Sequence, residues 1–212
     1  MSDVVAHAPQ APAPPMPGAA EGFAAQRPMP PRTIIPVKGL PVVVLVLGAL
    51  VAAIATGSPW ALMLYHVTGG GLWTGIDLFV GFVVGPILGR LSLPARAEFS
   101  ARFMPMMAII MPTLVAMTLA SGFQIAVLQG NLHASSPNHA WLLASFIVVG
   151  IMATIALGVL EPANIAVLFE MRKAQPDGLV IAGLMRRFIY TAGITGAMQI
   201  ATLVIMTRVG SR

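Results

Sequence analysis

Hydrophobic residues along this chain do not alternate with polar ones. They come in five long blocks set apart by short polar or basic punctuation. The first block runs from about Leu40 to Gly57 and the second from about Trp60 to Gly89. The third covers about Phe103 to Leu128, the fourth about Trp141 to Phe169, and the fifth about Phe188 to Thr207. A helix rises about 1.5 Å per residue, so roughly 30 Å of hydrocarbon takes about 20 residues, with about 17–25 tolerated. Every block is long enough. The pattern predicts an all-α, polytopic membrane helix bundle of five transmembrane helices, a four-helix core plus one N-terminal helix. Ser58-Pro59 parts the first two blocks, and proline is accommodated at a helix start. The alternative is a first block that lies along the membrane interface.

Composition supports the bilayer as solvent. Of the 212 residues 57% are hydrophobic and 9% are charged, whereas an ordinary soluble domain carries roughly 25% charged residues. The net charge of +5 is spread over loops and ends, which excludes a nucleic-acid patch. There is no cysteine, so disulfides, thiolate metal sites and thiol nucleophiles are excluded. Residues 1–39 differ from the rest: they are rich in Pro and Ala ("APAPPMPGAA", "RPMPPR") and hold half of the 18 prolines. Proline locks φ and removes backbone donors, so this segment is expected to be a disordered cytoplasmic tail or a strap docking on a partner subunit. A signal peptide is not expected, because the apolar run begins too far in.

Charge also orients the blocks. Arg27, Arg32 and Lys38 precede the first block; Arg90, Arg96 and Arg102 follow the second. Arg172, Lys173, Arg186 and Arg187 lie between the fourth and fifth. The connections at Ser58-Pro59 and from Gln129 to Ala140 hold no Lys or Arg. Positive residues stay cytoplasmic. The expectation is a bacterial-type inner (plasma) membrane, with the N-terminus cytoplasmic and the C-terminus outside. Arg208 and Arg212 at the C-terminal end dissent.

Candidate chemistry centres on "HVTGGGLWTG", His66 to Gly75. An intramembrane ionisable residue is a functional hypothesis by default. His66 and Trp73 are seven apart, two turns, and share a helix side, with Gly69, Gly70 and Gly71 between them. Small residues admit a close neighbour, either another helix or a flat cofactor. His66 is read as a structural imidazole bonded to a neighbouring helix, as a haem b ligand, or as a copper ligand. His133 and His139 are expected to be solvated loop residues, the alternative being metal coordination. Asp77, about three turns after His66, is either a hydrogen-bonded structural acid or a proton-relay group. Glu161, followed by the helix-perturbing Pro162, is expected to be an interfacial acid facing Arg172 or Arg187. Gly193, Ala197 and Ala201 form a small-residue stripe expected to face the bundle interior, with Gln199 and Thr202 beside it.

His66, Trp73 and Gly75 in the spacing H-x6-W-x-G resemble the first core helix of the copper resistance D (CopD) membrane proteins, the related DUF2269 proteins and the HemJ-type protoporphyrinogen oxidases. The likeness continues through "FSARFMPMMAIIMPTLVAMTLASGF", which closes on Ser121-Gly122, and through "MRRFIYTAGITGAMQIATLVIMTR". It covers residues 60–207. The resemblance implies a four-helix bundle that binds haem b or copper and serves electron transfer. His66, Gly70, Trp73 and Asp77 would then hold the cofactor. His66 would ligate, Trp73 would pack on the porphyrin edge, the glycines would admit the macrocycle, and Asp77 would couple protonation to redox change. Apart from the resemblance, Met206 comes out on the fifth span at a depth similar to that of His66, and a thioether suits Cu(I), which makes it the candidate second metal ligand. HemJ-type proteins also use a membrane lysine, and no span here has one, which argues against porphyrinogen oxidation.

No hydrolase triad, P-loop or dinucleotide fingerprint is present. Three functions remain open: a haem b or metal redox protein, a copper-handling membrane protein, and a non-catalytic accessory subunit of a larger membrane complex.

Overall fold

The computed structural model describes residues 36–211. The Pro/Ala-rich tail lies outside them except for its last four residues, which lead into the first span through a short turn at Val37–Gly39. Five helices follow: α1 (Leu40–Thr56), α2 (Pro59–Arg90), α3 (Leu93–Leu128), α4 (His139–Glu170) and α5 (Gly178–Gly210). No strand occurs among the described residues. All five helices are long and apolar enough to cross a bilayer, and the protein is a multi-pass membrane protein.

Local chemistry sets the helix ends. Ser58 caps α2, its hydroxyl accepting from the Ala61 N–H. Asp177 caps α5, its carboxylate accepting from the N–H groups of Leu179 and Val180. Arg96 donates to the carbonyls of Gly89 and Leu91, satisfying the exit of α2 with a cation where the helix dipole favours one. Gly57 (φ 61°) ends α1 in the left-handed region that glycine alone enters cheaply. The ends also correct the expected boundaries. α3 and α5 begin about ten residues earlier than the apolar blocks, at Leu93 and Gly178, and reach 36 and 33 residues. Their basic first turns ("ARAEFSAR", "IAGLMRR") remain good helix formers after leaving the lipid-compatible stretch. Two ends of the bundle can thus be told apart. The basic end carries Arg90 to Arg102 and Arg172 to Arg187; the neutral end, whose connections hold no Lys or Arg, carries Ser58, the 129–138 loop and Arg208 in the last turn of α5. Trp60 and Trp141 stand exposed at the neutral end, as the aromatic belt of a membrane interface requires.

α2 is the centre of the packing, wedged between α3 and α5. Glycine makes this possible. A Cβ on Gly69 would meet Thr118 Oγ1 at 2.8 Å, and one on Gly81 would meet Gly193 Cα at 2.5 Å. A Cβ on Gly196 would press on Leu78 at 3.0 Å. α1 is peripheral: it buries only Leu50 and Ala53, and Tyr65 of α2 holds it by donating to the Val46 carbonyl. The expected stripe of Gly193, Ala197 and Ala201 is therefore corrected. The face that α5 buries is Ala192, Thr195, Gly196 and Gln199, while Ala197 and Ala201 are exposed.

α2 and α4 are each broken in the same way. A wide π turn, Val80–Val84 in α2 and Ala156–Leu160 in α4, stands directly before Gly85-Pro86 and Glu161-Pro162. Proline has no N–H for the carbonyl four residues back and its ring crowds that carbonyl; the preceding turn widens instead. The N–H groups of Gly85 and Glu161 reach back five residues, to Val80 and Ala156. Past this break α4 changes partner. The backbone of its second half, Glu161–Glu170, packs on α3 and α5, whereas that of its first half, His139–Ile155, packs on α5 and stands off α3, which it reaches through the side chains of Phe146 and Met152.

Candidate functional site

The break in α4 leaves a cavity of about 220 Å³ enclosed by α2, α3, α4 and α5. Its wall is mainly apolar: Trp73, Ile76 and Val80 from α2; Met107, Met111, Val115, Ala116 and Leu119 from α3; Ala153, Ala156, Leu157 and Leu160 from α4; Phe188 and Ala192 from α5. Three polar side chains interrupt it: Asp77, Glu161 and Asn164. No Lys, Arg or His lines it.

Asp77 is fixed first. It is 2% exposed, and its Oδ2 accepts from Gln199 Nε2 at 2.8 Å and from Thr195 Oγ1 at 3.0 Å. Both donors stand on α5, four residues apart, on one helix face. The bonds tie α2 to α5 deep inside the bundle. The Trp73 indole is a further donor close to the carboxyl group.

Glu161 and Asn164 come from the first turn of the second half of α4, three apart and on one side. The α4 break swings them towards the cavity. Asn164 is fully buried, and both its Oδ1 and Nδ2 lack any hydrogen-bond partner. Glu161 is half-buried, with the Asn164 side chain close to its carboxylate but outside hydrogen-bond distance. Its expected ion pairing with Arg172 or Arg187 is corrected: the ion pairs among the described residues are Arg102–Glu98 and Lys173–Glu170, both at the basic end. Glu161 faces the cavity because Pro162 and the π turn rotate it away from the helix end.

His66 lies apart from this cavity. Its Nδ1 is 2.9 Å from the Thr118 carbonyl oxygen. A carbonyl only accepts, so Nδ1 carries a proton, and in the neutral tautomer Nε2 keeps a lone pair. The ring lies against Gly122, where a Cβ would stand 2.5 Å from its Cε1. The Ser121-Gly122 pair is thus the surface on which the imidazole rests, with Ser121 buried and its hydroxyl turned back to the Met117 carbonyl. His139 differs from expectation: it opens α4, half-buried, with Nδ1 sealed and unpaired, while His133 is an exposed loop residue.

The structure therefore separates the sequence candidates. Trp73 and Asp77 meet at the cavity. His66 and Gly70 face Thr118 of α3 instead, and Met206 is half-buried on α5. Haem fits half of this arrangement. The donor chemistry of His66 suits ligation, since a protein that orients a metal-binding imidazole holds its other nitrogen just so. The room does not suit it: Gly69 is filled by Thr118 and Met117, Gly122 by the imidazole itself, and the cavity excludes His66. The glycines admit a helix, so a macrocycle inside the bundle does not fit. Among the described residues no three His, Asp or Glu side chains converge to hold a metal ion.

Asn164 and Thr195 are absent from the sequence candidates. The signal for Asn164 was there, a carboxamide in an apolar run just past a proline, where nothing polar is needed for insertion. Thr195 gave none, because threonine in a span commonly satisfies itself on its own helix, as Thr113 does here.

No curated protein and no solved structure matches the chain. Residues 69–173, a little under half of the chain, match the model of one protein family, the domain of unknown function DUF4149, and that stretch carries Trp73, Asp77, Glu161 and Asn164.

Proposed function

We propose that the protein is a membrane-embedded binding protein that takes a small lipid-soluble molecule into the cavity between α2, α3, α4 and α5. The observation that carries this reading is Asn164. Its amide is buried beside the cavity with neither atom partnered. An unsatisfied amide atom away from water costs roughly 1–3 kcal/mol, and hydrocarbon supplies no substitute partner. A ligand in the cavity would meet that need. The π turns of α2 and α4 support the reading, since such bulges concentrate at working sites. In the orientation read from the basic loops, the basic end is cytoplasmic and the tail with it.

Trp73 is the natural reporter. With Trp60→Phe and Trp141→Phe, it is the sole indole. In phosphatidylcholine nanodiscs the lipophilic nitroxide 10-doxylnonane is expected to quench it, although Trp73 is only 3% exposed. Filling the cavity with Ala116→Phe is expected to remove the quenching. Absence of quenching, or quenching untouched by Ala116→Phe, overturns the reading.

A ligand role for His66 is the second reading, favoured by its free Nε2 and by the CopD, DUF2269 and HemJ resemblance. Any group held by His66 would lie outside the cavity, which His66 does not line. Purified protein with a Soret band that His66→Ala abolishes supports it; colourless, copper-free protein removes it.

A further inference from the structure

We propose that the cavity's occupant is an amphiphilic amine that enters sideways from the bilayer, between α3 and the π turn of α4. The proposal rests on the reading of the cavity as a binding site.

The route is drawn by the packing. The backbone of α4 stands off α3 over His139–Ile155, bridged by Phe146 and by Met152, and closes on it only after the π turn. Phe123 and Phe146 bridge the two helices near the neutral end, ring centroids 6.4 Å apart. Below them the cavity wall includes Leu119, 36% exposed, and Leu157, 71% exposed. These residues face acyl chains, so the mouth opens to lipid. A hydrated inorganic ion has no path there, and no three-ligand cluster awaits one among the described residues.

The head group follows from the charge inventory. The titratable groups lining the cavity are Asp77 from α2 and Glu161 from α4; α3 and α5 contribute none. Asp77 is held by the neutral donors Gln199 and Thr195, with the Trp73 indole close by, and Glu161 has only the neutral Asn164 amide beside it. The site is rich in acceptors and has no cation. A neutral amine crosses hydrocarbon readily. On arrival it takes the proton of a carboxylic acid, giving an ammonium and a carboxylate with charge conserved. The ammonium N–H groups then meet Glu161 and Asn164 Oδ1, and the neighbouring carboxylate can accept from Asn164 Nδ2. A fatty acid would add a third carboxyl. An alcohol would satisfy the amide but leave the acids without a counter-charge. Trp73, Met107, Met111 and Phe188 offer aromatic faces and adaptable thioethers to the rest of the molecule.

Decylamine, decanol and decanoic acid, added to the Trp73-only protein in phosphatidylcholine nanodiscs, are compared as displacers of the nitroxide quencher. Decylamine is expected to restore fluorescence at a concentration about tenfold below that of decanol. Glu161→Gln is expected to erase that preference, so that decylamine and decanol displace the quencher at similar concentrations. Asp77→Asn, which keeps an acceptor for Gln199, is expected to weaken it as well. Equal displacement by decanol, stronger displacement by decanoic acid, or a preference that survives Glu161→Gln overturns the amine proposal while leaving the cavity reading intact. Absence of quenching in the first place overturns both.

Discussion

Gln199 Nε2 donates to Asp77 Oδ2 at 2.8 Å, joining α5 to α2 across 122 residues of chain inside the apolar bundle. A carboxamide and a carboxyl that would each burden an isolated span are acceptable because they satisfy one another. Removing one partner exposes the other. Gln199→Leu is expected to lower stability by about 1 kcal/mol, within the range measured for interhelical hydrogen bonds in membranes, and Asp77→Leu with Gln199→Leu to lower it less than the sum of the two. Reversible unfolding in mixed micelles for the four proteins of the cycle checks this.

Asn164 should behave in the opposite sense. Its amide has no partner. Asn164→Leu, of similar volume, is expected to stabilise the protein by about 1–3 kcal/mol. The same variant is expected to weaken decylamine binding. A gain in melting temperature accompanied by loss of displacement activity is the expected pair of results, the trade that functional sites impose.

The imidazole of His66 occupies the place of a side chain on Gly122. Gly122→Ala is expected to destabilise by about 1–3 kcal/mol through overpacking, and His66→Ala in the same protein to recover part of that loss. Gly71→Ala, with open space around it, is expected to be neutral or to stabilise by up to about 1 kcal/mol. Thermal unfolding of the three variants distinguishes a packing contact from a general intolerance of the region.

Gly81 and Gly193 touch backbone to backbone. Neither helix can retreat without opening the Asp77 bonds one turn away. Gly81→Val is expected to destabilise by at least about 2 kcal/mol and to change the Trp73 emission, whereas Gly48→Ala on α1, which meets nothing within 4 Å, is expected to do neither. Near-equal melting temperatures for the two variants would contradict the close approach.

Much of this protein was legible before its fold. Membrane insertion, helix number and the order of basic and neutral connections are properties of composition and block length, because a bilayer imposes one thickness on every span. His66, Trp73 and Asp77 stood out because polar groups in lipid are costly wherever they sit. Their separation into two places was not legible. Helical spacing puts His66, Trp73 and Asp77 on one side of α2, but that side meets Thr118 and Gly122 of α3 at one depth and the cavity at another. Glu161 was misread for a related reason. Counting residues places it near a helix end and its arginines, while the π turn before Pro162 rotates it inward. The glycine run told that something would come close and not what.

The chain's own pattern thus fixed the solvent, the five crossings and the residues worth watching, since each depends only on the transfer of local groups from water to lipid. Which of those residues share a cavity, which glycine receives a helix, and which amide is left wanting depended on contacts between spans far apart in sequence. Those contacts are decided by packing, and no local pattern encodes a neighbour that arrives a hundred residues later.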